Sequence, residues 1–186
     1  MPTIRFSPGC SDDARAMTLA ELNALDAPCF VAALDSVFEH SPWIAARTYA
    51  ARPFASIDAL HRALVDTVRR AREDERLALL RAHPELAGRA AIAGELTASS
   101  ADEQASAGLG ACTPEEFARI GELNRRYRAR FDFPFILAVR GLDLRRILET
   151  FAQRVERTRD EELAEALAQV ARVARLRLDE RIVPDA

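Results

Sequence analysis

Thr158-Arg159-Asp160-Glu161-Glu162-Leu163-Ala164-Glu165-Ala166-Leu167-Ala168-Gln169-Val170-Ala171-Arg172-Val173-Ala174-Arg175-Leu176-Arg177-Leu178 decides the fold class of this chain. Thr158 and Glu161 are spaced as a capping box, in which each side chain takes a backbone N–H that a helix start leaves unbonded. No glycine or proline follows, and Leu163, Leu167, Val170 and Ala174 recur at three and four residues, the spacing of one helical face. Continued at about 3.6 residues per turn, that face reaches Arg177 and leaves Arg175 on the flank. A guanidinium at the margin of a buried face needs a partner, since leaving it unpaired costs about 3 to 5 kcal/mol. A carboxylate substrate is one candidate; one of the chain's 29 acidic side chains is the other.

The same grammar recurs upstream. Thr18-Leu19-Ala20-Glu21, Ser100-Ala101-Asp102-Glu103 and Thr113-Pro114-Glu115-Glu116 each read as a capping box opening a helix, with Gly108 placed to close the second of these. Asp26 precedes a helix with Pro28 in its first turn and Phe30, Leu34, Val37 and Phe38 turned inward; Ser41-Pro42-Trp43 starts a shorter one. Ser56 opens a long helix with the stripe Ile57, Leu60, Leu64, Val68 and Ala71, its arginines facing solvent. A helix from Asp74 to Ala82 stops at His83, because the residue before Pro84 is pushed out of helical geometry. Phe117, Ile120, Leu123, Tyr127 and Phe131 form the predicted buried face after Thr113, and Asp143 caps a helix with Leu144, Ile147, Leu148, Phe151 and Val155. Phe133-Pro134-Phe135-Ile136-Leu137-Ala138-Val139 is the one continuous apolar run, short and broken by proline, so its first part reads as buried extended chain. The expectation is an all-α, single-domain helical bundle of about eight helices with one short extended segment, spanning 18–183 behind a leader, 1–17, of unknown role.

Composition excludes several classes. The 186 residues are 49% hydrophobic, and 26 basic against 29 acidic side chains, spread along the chain, give a net charge of -3 with no basic stripe for nucleic acid. No stretch approaches the ~20 apolar residues of a membrane span, and the start, broken by Pro2, Pro8 and Gly9, lacks a secretory run. Cys10, Cys29 and Cys112 are odd in number and scattered, which suits a reducing compartment; the cytoplasm is the expected location. There is no HExxH, no glycine-rich phosphate loop, no Cys/His cluster and no GxSxG elbow, so neither a metal nor a nucleotide is expected.

Of three histidines, His83 is the sharpest candidate, because carbonyls at a helix end favour a protonated ring. A structural cap or a surface residue is the competing reading for such a histidine, and it is the one taken for His40 and His61. Glu103 suits the orientation of a catalytic ring or the binding of substrate, although a glutamate at the third helical position most often only completes its own capping box. Ser100 carries the same two readings.

These residues sit in ordered strings. They include Phe38-Glu39-His40-Ser41-Pro42-Trp43, Arg52-Pro53-Phe54, Leu79-Leu80-Arg81-Ala82-His83-Pro84-Glu85-Leu86-Ala87-Gly88 and Ser100-Ala101-Asp102-Glu103-Gln104 with Ala107-Gly108-Leu109. Leu123-Asn124-Arg125-Arg126-Tyr127, Phe133-Pro134-Phe135-Ile136 and Arg175-Leu176-Arg177-Leu178 complete them. Taken in this order, from Phe30 to about Ile182, the chain resembles the 2-oxo-4-hydroxy-4-carboxy-5-ureidoimidazoline (OHCU) decarboxylases of urate breakdown. The resemblance implies an all-helical fold, usually a homodimer, that yields (S)-allantoin and carbon dioxide with neither metal nor organic cofactor. Carried over by motif, His83 matches the catalytic histidine, Glu103 the catalytic carboxylate, and Arg177 the substrate-binding arginine. Pro84, Ser100 and Gln104 match substrate contacts, and Phe135, Ile136, Leu137, Ala138 and Val139 match a wall offering backbone groups. Departures are Glu85 where aspartate is commoner, Arg89 where lysine is common, and Asp132 where glycine often stands. Rival expectations are a decarboxylase or tautomerase of a related ureido acid, and a helical interaction module without a closed pocket near His83.

Overall fold

A computed structural model describes residues 16–88, 96–107, 109 and 112–185. The leader up to residue 15, the helix stop at Gly108 and the departure at Arg89 lie outside them. The described residues hold nine α-helices and one two-stranded pairing, and fall into two compact units.

The first unit takes the described residues up to Ala71 together with those from Ala174 onward. Strand β1, Met17–Thr18, runs parallel to β2, Ile182–Val183, and the Asp185 carboxylate accepts the Ala20 N–H at 2.8 Å. This pairing was not foreseen, because two residues carry no period-2 signal. Helix α1, Leu19–Ala24, opens on the Thr18/Glu21 capping box with both reciprocal bonds in place. Asp26 caps α2, Ala27–Ala33, through the Cys29 N–H. That helix stops before Val37 and Phe38, which are buried from a 3-10 turn and the residue after it rather than from a continued helix. Helix α3, Pro42–Thr48, follows Ser41, and α4, Ile57–Arg70, follows the Ser56 cap with Leu60, Leu64 and Val68 fully inward.

The Arg-Pro-Phe string proves to be a latch within this unit. The Arg52 guanidinium lies 3.6 Å over the Tyr49 ring and donates to the carbonyls of Asn23 at 2.7 Å, Leu25 at 2.6 Å and Tyr49 at 3.0 Å. One planar fork thus satisfies the carboxyl end of α1, which has no glycine cap.

The second unit runs from Arg72 to Val173. It contains α5, Glu73–Ala82; α6, Ala98–Ser106; α7, Pro114–Phe131; α8, Leu144–Arg154; and most of α9, Arg159–Arg181, whose last eight residues belong to the first unit. Thr113 and Thr158 make the predicted capping boxes, and Asp143 caps α8. Helix α7 ends on Asp132 in the left-handed region (φ 66°), which explains why glycine suits that position. Its core is aromatic: Tyr127, Phe131, Phe133, Phe135 and Phe151 are all fully buried.

Three expectations are corrected. Helix α6 is capped by Thr97, whose hydroxyl accepts the Ser100 N–H at 3.3 Å, so Ser100 lies inside the helix and no Ser100/Glu103 capping box forms. Phe117 is 39% exposed; the buried face of α7 starts one turn later, at Ile120. On α9 the inward stripe is Glu162, Ala166, Gln169, Val170, Val173, Ala174 and Arg177, with Leu163 and Leu167 only half-buried. A purely apolar stripe misses this rotation, because Glu162 and Gln169 face inward against partners of their own.

Cys112 is a free, half-buried thiol, whereas Cys29 is disulfide-bonded, which scattered cysteines did not point to. Among the described residues no helix is long and apolar enough to cross a membrane.

Candidate active site

Pro84 ends α5 at His83, whose backbone is extended (φ −69°, ψ 139°) and whose N–H closes the last turn on the Leu80 carbonyl at 3.2 Å. The imidazole is only 8% exposed. Thr97 starts α6 so that Ser100, Glu103 and Gln104 share one helical face at spacings of three and four. Largely buried chain without regular secondary structure, between α7 and α8, supplies the third side.

These pieces surround a cleft of about 360 Å³, its open mouth included. His83, Pro84 and Leu86 come from the end of α5 and the loop after it; Ser100, Glu103 and Gln104 from α6; Phe135, Ile136, Leu137 and Val139 from the segment between α7 and α8; Val173 from α9. The walls are apolar and the few polar groups converge, the usual composition of a small-molecule site. Ala138 does not line the cleft, and its N–H donates to the Gln169 side chain at 3.0 Å. Leu86 and Val173 were not foreseen, since apolar residues in a weakly periodic loop or on a core stripe carry no signal for a ligand.

The loop after His83 is braced from two helices. Gln104 accepts the Ala87 N–H at 2.9 Å and donates to the Glu85 carbonyl at 3.4 Å, while Asn124 donates to the Leu86 carbonyl at 2.9 Å. Ala87 is held in the left-handed region (φ 46°), a conformation that costs a non-glycine residue about 1 kcal/mol or more and persists where surroundings enforce it. At Gly88 a Cβ would sit 2.7 Å from that of Glu85, so only glycine passes. Glu85, the departure from aspartate, accepts from Arg128 Nε at 2.7 Å.

Behind the wall lies a buried charge network. Arg154 donates to the Ile136 carbonyl at 2.8 Å, lies 4.6 Å over the Phe135 ring, and pairs with Glu162 through Nε at 2.8 Å. Tyr127 donates its hydroxyl to the same Glu162 oxygen. Burial, reinforced by Glu162, pushes the phenol well above its ordinary value, so it stays a donor. Phe135 stacks on Phe151 at 3.8 Å. Sequence reading missed Arg154, Glu162 and Gln169; Glu162 and Gln169, two turns apart with Ala166 between, were the available signal.

Arg177 belongs to the first unit. Its side chain is 2% exposed, donates to Glu39 at 3.0 Å and to the Ser36 carbonyl at 2.9 Å. The internal carboxylate partner weighed as an alternative thus exists, and it is Glu39. Arg175 is on the flank as expected, where its guanidinium bonds Asp58 and holds that carboxyl below the usual range.

A family model described as OHCU decarboxylase matches residues 23–179. The chain belongs to the OHCU decarboxylase family. The 2-oxo-4-hydroxy-4-carboxy-5-ureidoimidazoline decarboxylase of Halalkalicoccus jeotgali is 42% identical over 168 residues, 90% of this chain and 93% of its own length. Its counterpart in Haloferax volcanii is 40% identical over 165 residues, 89% of this chain and 96% of its own. The crystal structure of (S)-allantoin synthase matches with a TM-score of 0.70 at 29% identity, covering 89% of this chain and 54% of that longer one. Within the OHCU decarboxylase frame, the lined cleft holds the motif-matched His83, Pro84, Ser100, Glu103 and Gln104 together.

Proposed function

We propose that this chain decarboxylates OHCU to (S)-allantoin, a step of urate breakdown. One observation carries the reading: His83, Ser100 and Glu103 converge on a single apolar-walled cleft inside a member of this family.

The substrate supplies its own electron sink. Its carboxylate and a hydroxyl share one carbon, beside a ring C=N. When the bond to the carboxylate breaks, its electron pair forms a C=C bond and the C=N pair moves onto ring nitrogen, which takes a proton. The enol then loses its hydroxyl proton, and the neighbouring carbon gains one from a single face, setting the stereocentre. His83 and Glu103 act on that hydroxyl as acid and base, while Ser100 and Pro84 contact the substrate. Apolar walls favour loss of a charged carboxylate as neutral carbon dioxide. No metal or organic cofactor is needed by this chemistry.

The segment Phe135 to Val139 belongs to the proposal as the wall that offers backbone groups to the substrate. Gln104 belongs to it as well, with the qualification that its amide already braces the loop behind His83. A homodimer and a cytoplasmic location are parts of the same reading, supported by resemblance and sequence alone.

Arg177 is proposed to hold an anionic or carbonyl part of the substrate, and its buried pair with Glu39 gives it a second duty. The two duties separate by substitution. Glu39→Gln should lower stability, read by urea unfolding, with KM for OHCU near wild type; Arg177→Lys, which keeps the charge but not the planar fork, should raise KM. An Arg177→Lys enzyme with unchanged KM leaves Arg177 as a fold residue only.

The activity itself is tested by carbon dioxide release from freshly generated OHCU in the presence of EDTA. Release well above the spontaneous rate is expected, and release at that rate would remove OHCU as the substrate.

A further inference from the structure

Helix α9 presents Gln169 to the back of the cleft wall. The Gln169 side chain is 3% exposed, and both ends of its amide are engaged within the second unit. Its Oε1 accepts the Ala138 N–H at 3.0 Å, and its Nε2 donates to Glu165 Oε1 at 2.7 Å. The carboxylate can only accept and the backbone N–H can only donate, so this pair of partners permits one amide orientation. Glu165, one turn earlier, lies 3.6 Å from Arg157. Its carboxyl is held below its ordinary range, first by the Gln169 amide and then by nearby arginines, against the opposing effect of burial.

The placement of Ala138 gives this relay its consequence. Leu137 and Val139, on either side of it, line the cleft, and Arg154 grips the Ile136 carbonyl two residues earlier. Arg154 and Gln169 thus hold the segment at two backbone groups, the Ile136 carbonyl and the Ala138 N–H, on either side of Leu137. The peptide joining Leu137 to Ala138 is planar with its C=O and N–H opposed, so fixing the Ala138 N–H also fixes the direction of the Leu137 carbonyl.

We infer that Gln169, oriented by Glu165, is a positioning residue: it holds the Ala138 N–H so that the Leu137 carbonyl is presented in a fixed direction to the bound ureido acid. This rests on the wall serving the proposed decarboxylation. Neither residue touches substrate; both act through the backbone. Arg154 anchors the same segment, but its buried charge makes its removal a test of folding. Gln169 is uncharged, so replacing it strands no buried ionic group.

The test uses the full chain with OHCU as substrate and compares KM with kcat. Gln169→Leu removes the acceptor and should raise KM about tenfold, the weight of one hydrogen bond, with kcat changed less. Gln169→Glu sets two carboxylates one turn apart and should also raise KM. The double variant Glu165→Gln with Gln169→Glu exchanges donor and acceptor, rebuilds both hydrogen bonds, and should bring KM back toward wild type. A merely structural role would instead lower stability in urea unfolding and leave KM of the folded protein unchanged. Unchanged KM in Gln169→Leu, or a double variant no better than Gln169→Glu, overturns the inference.

Amide exchange at Ala138, followed by NMR in the same proteins, is a readout that needs no turnover. Exchange should quicken in Gln169→Leu and slow again in the double variant. If exchange responds in this way but wild type leaves OHCU untouched, the substrate reading fails and the anchor stands. If exchange does not respond, the anchor fails whatever the substrate.

Discussion

His83→Ala is expected to lower turnover of OHCU by about 100-fold or more, the usual weight of a positioned acid or base, with helical circular dichroism intact. The fold should survive because the features that end α5 there are backbone features. The His83 N–H still bonds the Leu80 carbonyl, and Pro84 still forbids another turn. The following loop keeps its braces from Gln104 and Asn124. Near-normal turnover in a folded His83→Ala protein would remove the imidazole from the chemistry and leave it as a cap.

The largest effect on stability is expected at Glu162. Its side chain and that of Arg154 are 0% and 3% exposed, so Glu162→Ala strands a guanidinium and the Tyr127 hydroxyl in the core. A loss of about 3 to 5 kcal/mol is expected from a broken buried pair, a large share of the roughly 5 to 15 kcal/mol that holds a typical domain together. Urea unfolding measures it directly. The double variant Arg154→Met with Glu162→Leu should be less destabilised than Glu162→Ala, since it buries no unpaired charge. A Glu162→Ala protein as stable as wild type would mean the pair is solvated in solution.

The same network carries a pH signature. The Tyr127 phenol is raised above its ordinary value of 10.0 by burial first and by Glu162 second. A raised phenol stays protonated in the fold after the unfolded chain has begun to ionise. Its contribution is therefore complete below the ordinary phenol pKa and declines as pH climbs beyond it. Alkaline unfolding should accordingly be shallower in Tyr127→Phe.

What the sequence made legible follows from which signals are local. Thr18, Thr113 and Thr158 announce helix starts because the box closes within four residues, and all three form. Pro84 fixes the end of α5 by a steric rule between neighbours, which is why His83 was found. Ser100 was misread as a cap because Thr97, three residues earlier, offers an equally good hydroxyl, and nothing local ranks the two. An apolar stripe gives no reason to turn Glu162 and Gln169 inward; distant partners, Arg154 and the Ala138 peptide, do so. Arg177 was legible as buried and in need of a partner, but which carboxylate was not, since Glu39 lies 138 residues away along the chain. The β1/β2 pairing escaped for the same reason of distance.

The central claim is that the His83 and Glu103 cleft removes carbon dioxide from OHCU and protonates the enol from one face. It is tested most directly by following the circular dichroism of freshly generated OHCU as it decays, with and without a catalytic amount of the protein, in EDTA. Fast accumulation of (S)-allantoin is the predicted result. Decay at the spontaneous rate to a racemic product would contradict it.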